Sequence, residues 1–273
     1  PRSGLWVCKP CTRPWSVTSH TMFHNTRVDV RLWFVLMWMV LETTAPVPVT
    51  RVRDELGLTY LTAGSWLRKL RAGMAPLPTE LLGGLVEVDD TQVTGVLPDR
   101  YGSRTEHIPL FVAAQSAGEE GPTRPTAEVG EVGKDASDAG DGPRIGPVRV
   151  RFHPPLRSTG GPALRAFAAQ WCAPGTQVVT DGAKFLRGLG ELELKHGYSF
   201  APHRPDTYSA LPQVHEAAEA LTQWLRVDQR YEVQERLLPS YLGEFTFRYE
   251  NRDADTALLW YRLMLKAIGT PPR

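Results

Sequence analysis

The chain has 273 residues, enough for one large domain or two modest ones. Its 42% hydrophobic and 22% charged residues are an ordinary globular balance and exclude wholesale disorder. Thirty-one Lys and Arg against thirty Asp and Glu leave a net charge of +1, so the total selects no partner.

The distribution of charge is more informative. Residues 1–75 carry ten Lys and Arg against four Asp and Glu, a local excess that favours a polyanion. Three cysteines exclude a disulfide scaffold and suit a reducing compartment. The first residue is Pro1, which reads as the start of a fragment or a trimmed chain. The prefix does not have the form of a signal peptide. The strongest apolar run, Leu32–Leu41, is half the roughly 20 residues that a membrane span needs. A buried core helix, a cytoplasmic location and no membrane partner are expected.

In chain order, residues 1–30 form a short unit with Cys8 and Cys11 spaced as C-x2-C. Residues 31–75 read as three helices, Leu32–Leu41, Val47–Leu56 and Leu61–Gly73, with Gly57-Leu58-Thr59 breaking the pattern before the third. The third has Trp66, Leu67 and Leu70 on one side and Arg68, Lys69 and Arg71 on the other. Helix, Gly-containing turn and basic amphipathic helix outline a helix-turn-helix, although ordinary helical hairpins share the outline.

From residue 84 the period becomes two. Leu85–Val93, His107–Ala114 and Val148–His153 read as consecutive strands. Between the last two, residues 116–144 hold six Gly, three Pro, seven acids and no aromatic, and read as a disordered insertion. An amphipathic helix follows, Gly161–Cys172, then a strand, Thr176–Thr180, that ends at Asp181-Gly182. A short helix (Lys184–Leu189), a strand (Gly197–Ala201) and a long helix (Pro212–Arg226) complete the series. The fold class read from this order is α/β, a ribonuclease-H-like mixed sheet flanked by helices.

Two carboxylates stand out by position. Asp89 lies inside the first strand, in VEVDD, where an acid costs burial energy unless it is paired or metal-bound. Asp181 lies at a strand end, where open α/β sheets gather ligands. Two hard oxygen ligands on neighbouring strands suit Mg²⁺ or Mn²⁺, which clamp a phosphate in an in-line displacement. The plainer alternatives are a solvent-facing edge-strand acid at Asp89 and a turn-forming Asp-Gly at Asp181.

Six segments in order resemble a known family: SVTSHTMFHNTR with the LWF helix after it, DELGLTYLTAGSWLRKLRAGM, LVEVDDTQVTG, PGTQVVTDG, LPQVHEAAEALTQWL and YLGEFTFRYENR. The sequence resembles bacterial insertion-sequence transposases that join an N-terminal zinc ribbon and helix-turn-helix to an ISXO-type DDE domain. The resemblance implies a partial ribbon over 1–30, a DNA-binding unit over 31–75, a ribonuclease-H-like domain over 84–252 and a C-terminal helix over 253–273. It implies Mg²⁺-dependent strand cleavage and transfer at transposon ends, with Asp89 and Asp181 as the first two catalytic, metal-holding carboxylates. Double-stranded DNA is the implied partner, bound by a homo-oligomer in the nucleoid.

The chain departs from the family in three places. Asp90 and Thr94-Gly95 stand where the family shows Glu and Gly-Gly. Matching on His215 and Trp224 puts Ala220 and Thr222 where the family carries Glu or Asn and, two positions later, a basic residue. Glu219, 38 positions after Asp181, is the expected third catalytic and metal-holding acid, with Glu216 and His215 in reserve. These departures keep two rivals open: a decayed, non-catalytic DNA-binding relic, and another ribonuclease-H-like nuclease such as a resolvase.

A structural Zn²⁺ site needs four ligands, and Cys8 and Cys11 supply two. The resemblance implies a further C-x2-C upstream; His20 and His24 are an internal alternative, and no metal is a third. Cys172 reads as a buried core thiol. Arg68, Lys69 and Arg71, with Tyr60, are the expected DNA readers of the third helix. Arg226 and Arg248 are expected at phosphates.

Overall fold

In the computed structural model the described residues are 5–24, 26, 28–99, 102–115, 149–153, 161–180, 189–198, 211–226 and 234–269. The insertion 116–144, Asp181 and most of the helix expected over Lys184–Leu189 lie outside them. The chain divides into two compact units, residues 1–76 with 223–273, and residues 77–222.

The first unit opens with a hairpin of β1 (Trp6–Val7) and β2 (Pro14–Trp15), whose register pairs Trp6 with Trp15. Their rings stack at 5.1 Å. Helix α1 (Val30–Leu41) starts where the Asp29 side chain accepts the Arg31 N–H. It buries Trp33, Leu36, Met37 and Val40, the i, i+3, i+4, i+7 stripe of a core-facing helix. Helix α2 (Val49–Leu56) stops at Gly57, whose φ of 63° is the left-handed cap that glycine adopts without a Cβ clash. Helix α3 (Tyr60–Met74) begins at Thr59, whose hydroxyl accepts the Thr62 N–H. It packs Trp66 flat on Trp33 at 4.2 Å.

Helices α6 (Leu238–Glu250) and α7 (Thr256–Gly269) complete this unit. The expected sheet domain reaches residue 252, whereas α6 packs in the helical unit, on α3. The reason is close contact: a Cβ at Gly243 would lie only 2.7 Å from the Arg71 carbonyl oxygen. No described helix is long and apolar enough to cross a membrane.

The second unit is mixed α/β. Its strands β3 (Leu85–Asp99), β4 (Gly102–Gln115), β5 (Arg149–His153), β6 (Gln177–Thr180) and β7 (Lys195–Tyr198) form one sheet ordered β5-β4-β3-β6-β7. The β3–β4 and β4–β5 pairs are antiparallel, and β3–β6 and β6–β7 are parallel. Helices α4 (Gly161–Trp171) and α5 (Pro212–Arg226) accompany the sheet.

Period-two alternation on β3 sends Val86 and Val88 into a core with Leu164, Phe167, Ala168 and Trp171 of α4. The same alternation turns Glu87 and Asp89 to the opposite face, where α5 meets Glu87. The hairpin runs past the expected end at Val93, since its ladder carries Gly95 and Pro98 despite their turn character. The last strand begins two residues earlier than expected, because Lys195 pairs with Gln177.

Candidate metal and DNA sites

Asp89 sits on the central strand with its carboxylate mostly covered, 14% exposed. Its Oδ1 accepts the Asp90 N–H at 2.9 Å, and its Oδ2 lies 3.2 Å from His215 Nε2 on α5. An ionised carboxylate only accepts, so this contact is a hydrogen bond when Nε2 carries the proton. His215, held in reserve on sequence grounds, is thus an α5 side chain that meets Asp89.

Glu219 is exposed and follows His215 by four residues, so the two share one helix stripe. Among the described residues, no three His, Cys, Asp or Glu side chains are placed to hold one ion. Asp181, the second expected ligand, lies outside that set. Register places Val179 beside Glu87, and Thr180, next after it, ends β6. Thr222 donates its hydroxyl to the Ala218 carbonyl, and Ala220 is half-buried.

Sequence reasoning missed Glu87. Its Oε2 accepts the N–H groups of Gln213 (2.8 Å) and Val214 (3.0 Å) in the first turn of α5. Burial raises its pKa, opposed by these two N–H groups and by the charge of His215. The available signal was spacing: an acid two residues before Asp89 shares its strand face.

The donor chemistry at Asp89 fits a hard divalent ion, since carboxylate oxygen suits Mg²⁺ and Mn²⁺. At the N-terminal hairpin, the Cys8 N–H donates to the Arg13 carbonyl and the Thr12 N–H to the Cys8 carbonyl, closing the turn that carries both cysteines. Hydrogen bonds from the Arg13 backbone and then the Cys8 side chain lower the Cys11 pKa. Cys8 and Cys11 are a soft-metal pair, and neither His20 nor His24 joins them to make a third ligand.

The expected DNA contacts separate. Arg68 is exposed on α3, and Arg226 is exposed on α5. Lys69 is half-buried, with Nζ 3.3 Å from the His24 carbonyl and 5.8 Å from the Trp33 ring centre; burial lowers its pKa. Arg71 is a correction: its guanidinium is buried, paired with Glu244 at 2.6 Å and bonded to the Val47 carbonyl at 3.1 Å. Arg248 is a second correction. It pairs with the same Glu244 and donates to the Thr43 carbonyl at 2.7 Å and to the Val40 carbonyl, closing the end of α1. Basic residues in amphipathic segments usually face solvent; the acid that draws these two inward, Glu244, comes from α6.

No protein-family model matches the chain, and no curated protein matches it.

Proposed function

We propose that this chain is a DNA transposase whose sheet unit cleaves and joins strands with a divalent metal ion. The observation that carries the reading is Asp89: a largely covered carboxylate on the central strand, facing α5, beside the parallel strand that Asp181 follows in sequence. Support also comes from the strand order and directions, three antiparallel strands continued by two parallel ones, which a ribonuclease-H-like fold shares.

In this reading Asp89 and Asp181 hold Mg²⁺ or Mn²⁺, with His215, Glu216 or Glu219 as the third group. The bound ion would polarise a phosphate and activate the attacking oxygen. His215 orients the Asp89 carboxylate through Oδ2. The α2–α3 pair acts as a helix-turn-helix on double-stranded DNA, with Arg68 outward, and the chain works as an oligomer on transposon ends in the cytoplasm. Cys8 and Cys11 supply half of a Zn²⁺ ribbon.

A second reading, a DNA-binding relic without catalysis, is favoured by one observation. Ala220 stands half-buried where the resemblance implies Glu or Asn, and α5 brings an imidazole to Asp89. Mn²⁺ titration of the wild type, Asp89→Ala, Asp181→Ala and His215→Ala tests between them. The transposase reading expects binding in the wild type that either aspartate variant abolishes, and an Asp89–Asp181 carboxylate separation of roughly 4–7 Å. A wild type that binds no Mn²⁺ favours the relic.

A further inference from the structure

We propose that Glu87 is the positioning residue that seats helix α5, and with it His215, against Asp89. The proposal rests on the reading of Asp89 as the site carboxylate, and concerns a group to which that reading assigns no role.

An acid buried in mid-sheet is costly unless its oxygens are met, and Glu87 is only 7% exposed. What meets it is the start of α5: the Gln213 and Val214 N–H groups, at 2.8 and 3.0 Å, converge on one oxygen. First-turn N–H groups have no acceptor within their own helix, and the helix dipole favours a negative charge there. Helices ordinarily find this acceptor in the residue just before them. Here it comes from a strand 126 positions away in sequence. The cap is therefore a tether between two elements.

Its position relates it to the site. Two residues along the same strand face stands Asp89, and one residue along the helix from Val214 stands His215. The two contacts, Glu87 to the helix start and Asp89 to His215, lie side by side on one strand and one helical turn. Without the first, the second loses its anchor. A glutamine keeps an acceptor oxygen and loses the charge; an alanine loses both.

Amide hydrogen exchange on the metal-free full chain tests this in the wild type. Uncapped first-turn amides exchange freely, so Gln213 and Val214 should be protected by tenfold or more relative to exposed amides. Glu87→Gln should keep most of that protection and Glu87→Ala should lose it. In Glu87→Ala the His215 imidazole nitrogen shifts should move to those of Asp89→Ala, and Mn²⁺ binding should weaken by about tenfold, as for lost outer-sphere support. Glu87→Gln should stay within about threefold, below the roughly tenfold or more of lost outer-sphere support. Unprotected Gln213 and Val214 amides in the wild type would overturn the proposal, even if Glu87→Ala fails to fold. So would a folded Glu87→Ala with unchanged protection and unchanged His215 shifts. Exchange and imidazole shifts need neither metal nor catalysis, so their failure is separate from a failure to bind Mn²⁺ or cut DNA.

Discussion

Arg71 Nε donates to Glu244 Oε2 at 2.6 Å, and the two side chains are 4% and 0% exposed. Tyr241 covers the guanidinium, its ring centre 4.3 Å from the Arg71 carbon. Glu244 accepts a second cation, Arg248 Nε, at 3.0 Å. One buried carboxylate thus ties α3, α6 and the end of α1 within the helical unit. Removing it leaves the buried Arg71 without its counter-charge. Glu244→Ala should lose about 3–5 kcal/mol of stability, read as a fall in the denaturation midpoint. A loss below about 1 kcal/mol, the scale of an exposed pair, would contradict this role.

The same geometry changes what is expected of DNA binding. Arg68 is the exposed cation of the basic run, while Arg71 and Arg248 serve the core. Arg68→Ala should weaken duplex binding and lower the log–log salt slope by about 0.9, the value for one lost phosphate contact. Arg71→Met, where it folds, should leave the slope unchanged. Binding measured against salt separates the two, and a slope drop in Arg71→Met alone would reverse the assignment.

Much of the sheet was legible because alternation is strict where one face is buried. Val86 and Val88 point to α4 and declare the strand, and Glu87 and Asp89 alternate with them on the face that meets α5. Helix α5 was bounded as expected, by Pro212 at its start and an apolar stripe of Val214, Ala217, Ala218 and Leu221. Side-chain partners brought together from distant segments were not legible. Nothing local to Glu87 says that its acceptor oxygen serves an N–H group 126 residues on. Nor does RKLR itself say that its second arginine turns inward, because Glu244 lies 173 residues away. The choice among Glu216, Glu219 and His215 depends on helix rotation, which sequence spacing leaves open at about 100° per residue.

Cysteine reactivity gives a check on burial. Burial pushes the Cys172 thiol from 9.0 up to about 11. Between those values the folded chain keeps a proton that the unfolded chain has released. The contribution to stability is therefore full below pH 9 and is lost as pH rises towards 11. At pH 8 Cys172 is protonated and buried, whereas Cys11 is exposed with a lowered pKa. Brief alkylation followed by peptide mapping should modify Cys11 first and spare Cys172; equal rates would contradict the packing around Leu82 and Trp171.

The central claim is that Asp89 belongs to a metal-dependent site that cuts DNA. A supercoiled plasmid carrying the DNA that flanks this chain's own reading frame, incubated with Mn²⁺, tests it most directly. Wild type should nick the plasmid, chelation should stop it, and Asp89→Asn should lose the activity while keeping its salt-dependent duplex binding. Equal cleavage by wild type and Asp89→Asn would contradict the claim.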